Sequence, residues 1–222
     1  MAFFHRRPRL LHAGSSLFLA AILFVAVRPV VADSSVEPFV TVAAYDGVIN
    51  PVAAEYIHDA LVSAEANGAR ALVIALNTPG GLDSSMRLII KDMTGATVPV
   101  VVFVSPSSGR AASAGAFITM AAHVAAMAPG TNIGAAHPVN MGGGEMDKTM
   151  KEKVENDSVA FIKSLAQQRG RNAAWAEDAV RKSVSVTERE ALKLNVIDVI
   201  ADDLAALLKH LDGRQVRLAA GT

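Results

Sequence analysis

Two stretches decide the fold: Val98-Pro99-Val100-Val101-Val102-Phe103-Val104 and, after a short polar run, Arg110-Ala111-Ala112-Ser113-Ala114-Gly115-Ala116. The first is apolar and rich in β-branched residues, which predicts a strand buried on both faces of a parallel sheet. The second sets one serine among residues with almost no side chain, and Ala114–Ala122 then reads as a helix. A serine at a strand-to-helix turn can hold its hydroxyl out while its own amide and that of Ala114 point into the same space. Small neighbours let a substrate backbone come close, the geometry an acyl-transfer nucleophile needs. Small residues around a serine also signal nothing more than tight helix packing, so the motif alone does not decide function.

Working outward, Leu76-Asn77-Thr78-Pro79-Gly80-Gly81 directly follows a second apolar run, Ala71–Leu76. Pro79 has no amide to donate, but Gly80 and Gly81 do, and neither carries a side chain that would block a carbonyl oxygen. Gly80, Gly81 and Ala114 are therefore the candidate oxyanion hole. One such turn alone would be an ordinary glycine turn. Two motifs after consecutive strands favour the functional reading.

The flanking elements support a mostly parallel α/β sheet with helices on its faces. Phe39–Tyr45 is predicted as the first strand; Asn50-Pro51 opens a helix as N-cap and first helical residue, and Asn67-Gly68 closes it. Asp83 is a candidate cap for the next helix. The order strand–helix–strand–helix–strand calls for right-handed crossovers, and it puts both glycine-rich loops at the C-terminal ends of strands, where ligands bind in open sheets. Val124–Ala128 reads as a further strand and Met150–Arg169 as a long helix with Val154, Ser158, Phe161, Ile162 and Leu165 inward. Asn172 caps another helix, Thr187-Glu188-Arg189-Glu190 forms a capping box, Val196–Ile200 is the last strand and Leu204–Leu211 the last helix. Met141–Gly144 reads as a flexible polar loop, either beside the site or a surface excursion.

The general base is open at this level. His123 follows Ser113 too closely, whereas His137, in Gly134-Ala135-Ala136-His137-Pro138, could reach back after a turn. Lys148, Lys151, Lys153 and Lys163 are each a solvated surface lysine unless desolvation or a nearby cation lowers the pKa. Spacing does not choose among them. The chain has no His-Glu-x-x-His pattern and no phosphate loop, which argues against metal hydrolysis and nucleotide chemistry. No metal or other cofactor is expected.

The 222 residues suit one domain, with 21 basic and 21 acidic side chains and no basic block outside the N-terminus, so nothing points to nucleic acid. There is no cysteine, hence no disulfide and no thiol nucleophile. His5-Arg6-Arg7-Pro8-Arg9, the apolar Leu17–Val27 and Val30-Val31-Ala32 read as a signal peptide cut after Ala32, or as an uncleaved anchor. Residues 1–32 are then the targeting segment and 33–222 the working domain, secreted or periplasmic, free or tethered to the membrane.

With these motifs in view, the sequence resembles the NfeD-type serine proteases, membrane-associated relatives of the Clp protease and signal peptide peptidase A. The resemblance runs from about Phe39 to Leu208. It rests on Asn77–Gly81, Ala111–Gly115, Ala126-Met127-Ala128-Pro129-Gly130-Thr131-Asn132-Ile133-Gly134-Ala135, and Phe161–Ala166 followed by Gly170-Arg171-Asn172. It implies a Clp/crotonase-type fold and a Ser–Lys dyad, with Ser113 as nucleophile and Lys153 as base. A histidine in the Clp relatives falls near His137, which keeps His137 as the alternative base. The resemblance further implies an oligomer, a dimer or larger, and hydrophobic segments of membrane proteins, such as stomatin-like partners, as substrates. Long family members continue into transmembrane helices and a small β-barrel that have no counterpart before Thr222. Two other readings of the fold remain: a crotonase-type acyl-CoA enzyme, which would want carboxylates beside the oxyanion hole, and a non-catalytic partner-binding domain.

Overall fold

The computed structural model describes residues 37–139 and 147–218; the targeting segment 1–32 and the Met141–Gly144 loop lie outside them. The chain alternates strand and helix through β1 (Thr41–Asp46), α1 (Pro51–Ala66), β2 (Leu72–Asn77), α2 (Asp83–Gly95) and β3 (Val100–Val104). The Asn50 side chain accepts the Ala53 amide at 2.9 Å, so the helix begins at Asn-Pro as the capping rule requires. The main sheet has the order β1-β2-β3-β5-β8, all parallel, where β5 is Val124–Met127 and β8 is Val199–Ile200.

Alternation along the central strands explains their uninterrupted hydrophobicity. Val100, Val102 and Val104 face the main core with Leu72, Ile74 and Leu76, while Val101 and Phe103 face a second core with Val73, Val124 and Ala126. Helices α1 and α2 pack on the first face, joined by α3 (Ala114–Ala121), α4 (Lys148–Gln168) and α5 (Ala173–Arg181). The second face receives α7 (Leu204–Leu211) through Leu207. Each fully buried valine or isoleucine here contributes about 1.5–3 kcal/mol. Thr187 and Glu190 form the reciprocal box that opens α6 (Glu188–Lys193).

Two expectations need correction. Asp83 does not cap α2: Leu82 is the N-cap, and the Asp83 carboxylate reaches Arg87 instead, 2.9 Å away. Nor does β3 run straight into the serine turn. A short strand, β4 (Arg110–Ala112), intervenes and pairs with β6 (Asn132–Gly134), which pairs with β7 (Ser185–Thr187) in a second sheet. These strands are three residues long, too short to show a period-2 pattern. The second sheet is joined to the end of β2 through Thr78, whose amide donates to Arg110 at 2.8 Å and whose carbonyl accepts from Ala112 at 3.1 Å.

Candidate active site

Ser113 lies between β4 and α3 with φ 52° and ψ −116°. A non-glycine residue with positive φ is costly, by about 1–3 kcal/mol, and here the surroundings impose it. The Ser113 amide donates to Gly134 at 2.9 Å, and Ala116 donates back to the Ser113 carbonyl at 2.9 Å. The amide of Ser113 is therefore committed and does not point into free space with that of Ala114, contrary to expectation. The Ala114 amide, at the first residue of α3, has no acceptor among the described residues.

Opposite the serine runs the loop after β2. Gly80 presses on Ser113 so closely that a Cβ on it would stand 2.6 Å from the serine Cβ and 3.2 Å from Oγ. A Cβ on Gly81 would stand 2.0 Å from the Ile49 carbonyl oxygen, and its φ of 159° lies at the limit of the region that favours glycine. The two glycines differ in their amides. Gly80 donates to the Thr78 hydroxyl at 3.1 Å, while Gly81 donates to no acceptor among the described residues. Gly81, Ser113 and Ala114 line one cavity of about 590 Å³; Gly80 is not in the lining.

Lys153, from the second turn of α4, lines the same cavity. It is exposed, and no hydrogen bond joins it to Ser113 Oγ. The remaining wall is mostly apolar, including Met86, Phe117 and Val154. Arg87 holds the helices together around it: its guanidinium pairs with Asp83 and with Asp157, both cavity residues, and lies 4.3 Å over the Phe161 ring, which stacks on Phe117. Asp157, one turn beyond Lys153, is thus engaged by Arg87 rather than by the lysine.

His137 stands apart from this group. Its neighbours Ala136 and Pro138 line the cavity, but His137 does not, and its Nδ1–H donates to the Val180 carbonyl at 3.0 Å. Lys163 pairs with Glu177 and is likewise absent from the cavity lining. His123 is buried behind α3: its Nδ1 accepts from the Val100 amide at 3.1 Å, and burial, with the charges of Arg169 and Arg171, lowers its pKa to about 4. The residues missed in the sequence are Phe117 and Asp157. Each stands four positions after a candidate, Ser113 and Lys153, so helical spacing alone places them on the same faces.

The N-terminal-domain model of the NfeD1b family matches residues 40–214. The chain belongs to the NfeD1b N-terminal domain family. Membrane-bound protease PH1510 of Pyrococcus horikoshii is 37% identical over 204 residues, which cover 91% of this chain and 45% of that protein. Membrane protein NfeD1b of Bacillus subtilis is 28% identical over 179 residues, 75% of this chain and 39% of its own length. This NfeD1b-family chain thus spans less than half the length of either relative. Among solved structures, a lysine-to-alanine mutant of the 1510-N membrane-bound stomatin-specific protease, in complex with a substrate peptide, matches with a TM-score of 0.76 at 37% identity. That match covers 82% of this chain and 84% of that one. A serine-to-alanine mutant of the same protease gives a TM-score of 0.75 at 38% identity, covering 82% and 88%. The Clp/crotonase-type α/β architecture is thereby shown for the NfeD1b domain described here. No helix among the described residues is long and apolar enough to cross a membrane.

Proposed function

We propose that the chain is a serine endopeptidase acting through Ser113 and Lys153. The observation that carries this is one cavity lined at once by a serine on a strained turn, two unengaged backbone amides and a lysine. Lys153 takes the Ser113 proton, Ser113 Oγ attacks the peptide carbonyl, the amides of Gly81 and Ala114 hold the oxyanion, and the C–N bond breaks as Lys153 passes the proton to the leaving amine. Water then gives a proton to the lysine and attacks the ester carbonyl, and the proton passes to Ser113 Oγ as the C–Oγ bond breaks and the acid leaves. Lys153 is exposed, so a peptide lying over the cavity would cover it and complete the site.

The apolar wall of Met86, Phe117 and Val154 suits an apolar side chain beside the scissile bond. Kinship with a protease described as stomatin-specific supports hydrophobic segments of membrane proteins, stomatin-like ones among them, as substrates. Kinship with a membrane-bound protease supports attachment at a membrane, and the basic and apolar N-terminal segment supports an extracytoplasmic domain, tethered or released by signal cleavage; in this reading it works as an oligomer. Residues 33–222 form the protease domain in this reading.

The test is cleavage of an apolar peptide library by the wild type beside Ser113→Ala, Lys153→Ala and His137→Ala. Loss in the first two and retention in the third supports the dyad. Full activity in Ser113→Ala would end the proposal.

A further inference from the structure

Thr78 has no role in the mechanism above, yet it is fully buried and its side chain sits at the centre of the glycine loop. Its hydroxyl accepts the Gly80 amide at 3.1 Å and lies 3.2 Å from the Gly80 carbonyl oxygen, to which it can donate. Its methyl group faces the first turn of α3, where a Cβ on Gly115 would come within 2.6 Å of it. Its backbone pairs on both sides with β4, just ahead of Ser113. One residue therefore touches the loop that offers an oxyanion donor, the strand that delivers the nucleophile and the helix whose first amide is the second donor.

The donors of this loop can be counted completely. Thr78 donates to Arg110, Pro79 has no N–H, Gly80 donates to the Thr78 hydroxyl, and Leu82 donates to the Ile49 carbonyl at 2.8 Å. The Gly80 carbonyl also accepts from Ile49 at 2.8 Å. Gly81 alone among them has no acceptor among the described residues, and Gly81 alone of the two glycines lines the cavity. Without the Thr78 hydroxyl, the Gly80 amide would be a buried donor with no partner, and the peptide plane would have to turn to find one. The hydroxyl also reaches the Gly80 carbonyl, which shares its peptide plane with the Gly81 amide, so its loss loosens the aim of that amide as well.

We infer that Thr78 is a positioning residue: its hydroxyl commits the Gly80 amide and so fixes the Gly81 amide as the oxyanion donor opposite Ala114. This rests on the serine-endopeptidase reading and deepens it. A misaimed donor costs transition-state stabilisation and leaves ground-state binding intact, so the effect belongs in kcat and not in KM.

Two measurements on the full chain test it. Thr78→Val, which keeps the shape and removes the hydroxyl, is expected to lower kcat by roughly ten- to a hundredfold with KM within about twofold. Thr78→Ser, which restores the hydroxyl and drops the methyl, is expected to recover most of that loss. Residue-resolved hydrogen exchange on the wild type should show a protected Gly80 amide beside a fast Gly81 amide, with the protection lost in Thr78→Val and kept in Thr78→Ser. A valine variant with wild-type kcat, or a wild type whose Gly80 amide exchanges as fast as that of Gly81, would overturn the inference. So would a serine variant as impaired as valine. Absence of cleavage by the wild type would instead defeat the endopeptidase reading, and with it the oxyanion role of Thr78. The exchange pattern would then report only whether Thr78 holds the loop.

Discussion

The two sides of the cavity are built differently. The serine side is held mainly by backbone: β4, the Thr78–Gly81 loop and the first turn of α3 are locked by main-chain bonds of Thr78 to Arg110 and Ala112 and of Ser113 to Gly134, by the Thr78 hydroxyl on the Gly80 amide, and by glycines where no Cβ fits. The lysine side is a flexible side chain on the exposed second turn of α4, with no bond to the serine. In the proposed mechanism, preorganisation is thus invested where charge develops in the transition state, and the base is left on the open side of the cavity.

The sharpest way to break this comparison is to strike each side once. Ser113→Ala should lower cleavage by more than about ten-thousandfold, since nucleophile and base act as a unit. Ser113→Gly should be equally inactive but more stable than Ser113→Ala by about 1 kcal/mol, because glycine relieves the positive φ; denaturant melts of the two variants check this. Lys153→Ala should lower kcat about a thousandfold, as loss of a general base does. Being exposed, it should leave the unfolding free energy within about 0.5 kcal/mol of wild type. A Lys153→Ala protein that melted much earlier would show that the lysine side is also structural, and the contrast would fail.

What could be seen in the sequence divides along the same line. The strand–helix alternation through β3 is legible because long apolar runs and the caps at Asn50, Asn172 and Thr187 are local signals. The serine and the glycine pair are legible because they need residues without side chains. The strands β4, β6 and β7 are not, since three residues carry no period and their pairing joins segments far apart in the chain, Thr78 to Ala111 and Gly134 to Ala112 and Ser185. Gly80 and Gly81 cannot be separated without knowing where the Thr78 hydroxyl lies. Lys153 cannot be separated from its neighbours by spacing, because which face of α4 meets the serine is a tertiary fact; the resemblance, not the periodicity, singled it out.

The rigid side has an acid weakness. His123 supports the strand behind α3 as a neutral ring, accepting from Val100. Its folded pKa, about 4, is below its ordinary 6.5, so the unfolded chain takes up the proton first as pH falls. Stability contributed by His123 is fully present above pH 6.5 and is lost progressively as pH falls toward 4, about 3 kcal/mol in all and about 2 kcal/mol of it by pH 5. Urea melts at pH 8 and pH 5 measure this. His123→Gln, which cannot titrate, should lose markedly less between the two. Equal losses would remove His123 as the cause.

The smallest expected effect is also the one that discriminates between bases. His137 lies between two cavity residues, so proximity in sequence makes it a plausible base. Its Nδ1–H, however, is spent on the Val180 carbonyl, and that bond ties the segment before the cavity rim to the end of α5. His137→Ala should therefore cost about 1 kcal/mol of stability, the net worth of one hydrogen bond, and change kcat by less than about twofold, since the residue is not in the cavity lining. If instead kcat fell more than about tenfold while Lys153→Ala stayed active, the proton acceptor would be a ring that must first leave Val180. The adaptable side of the site would then be the segment Ala136–Pro138, and α4 would be a wall.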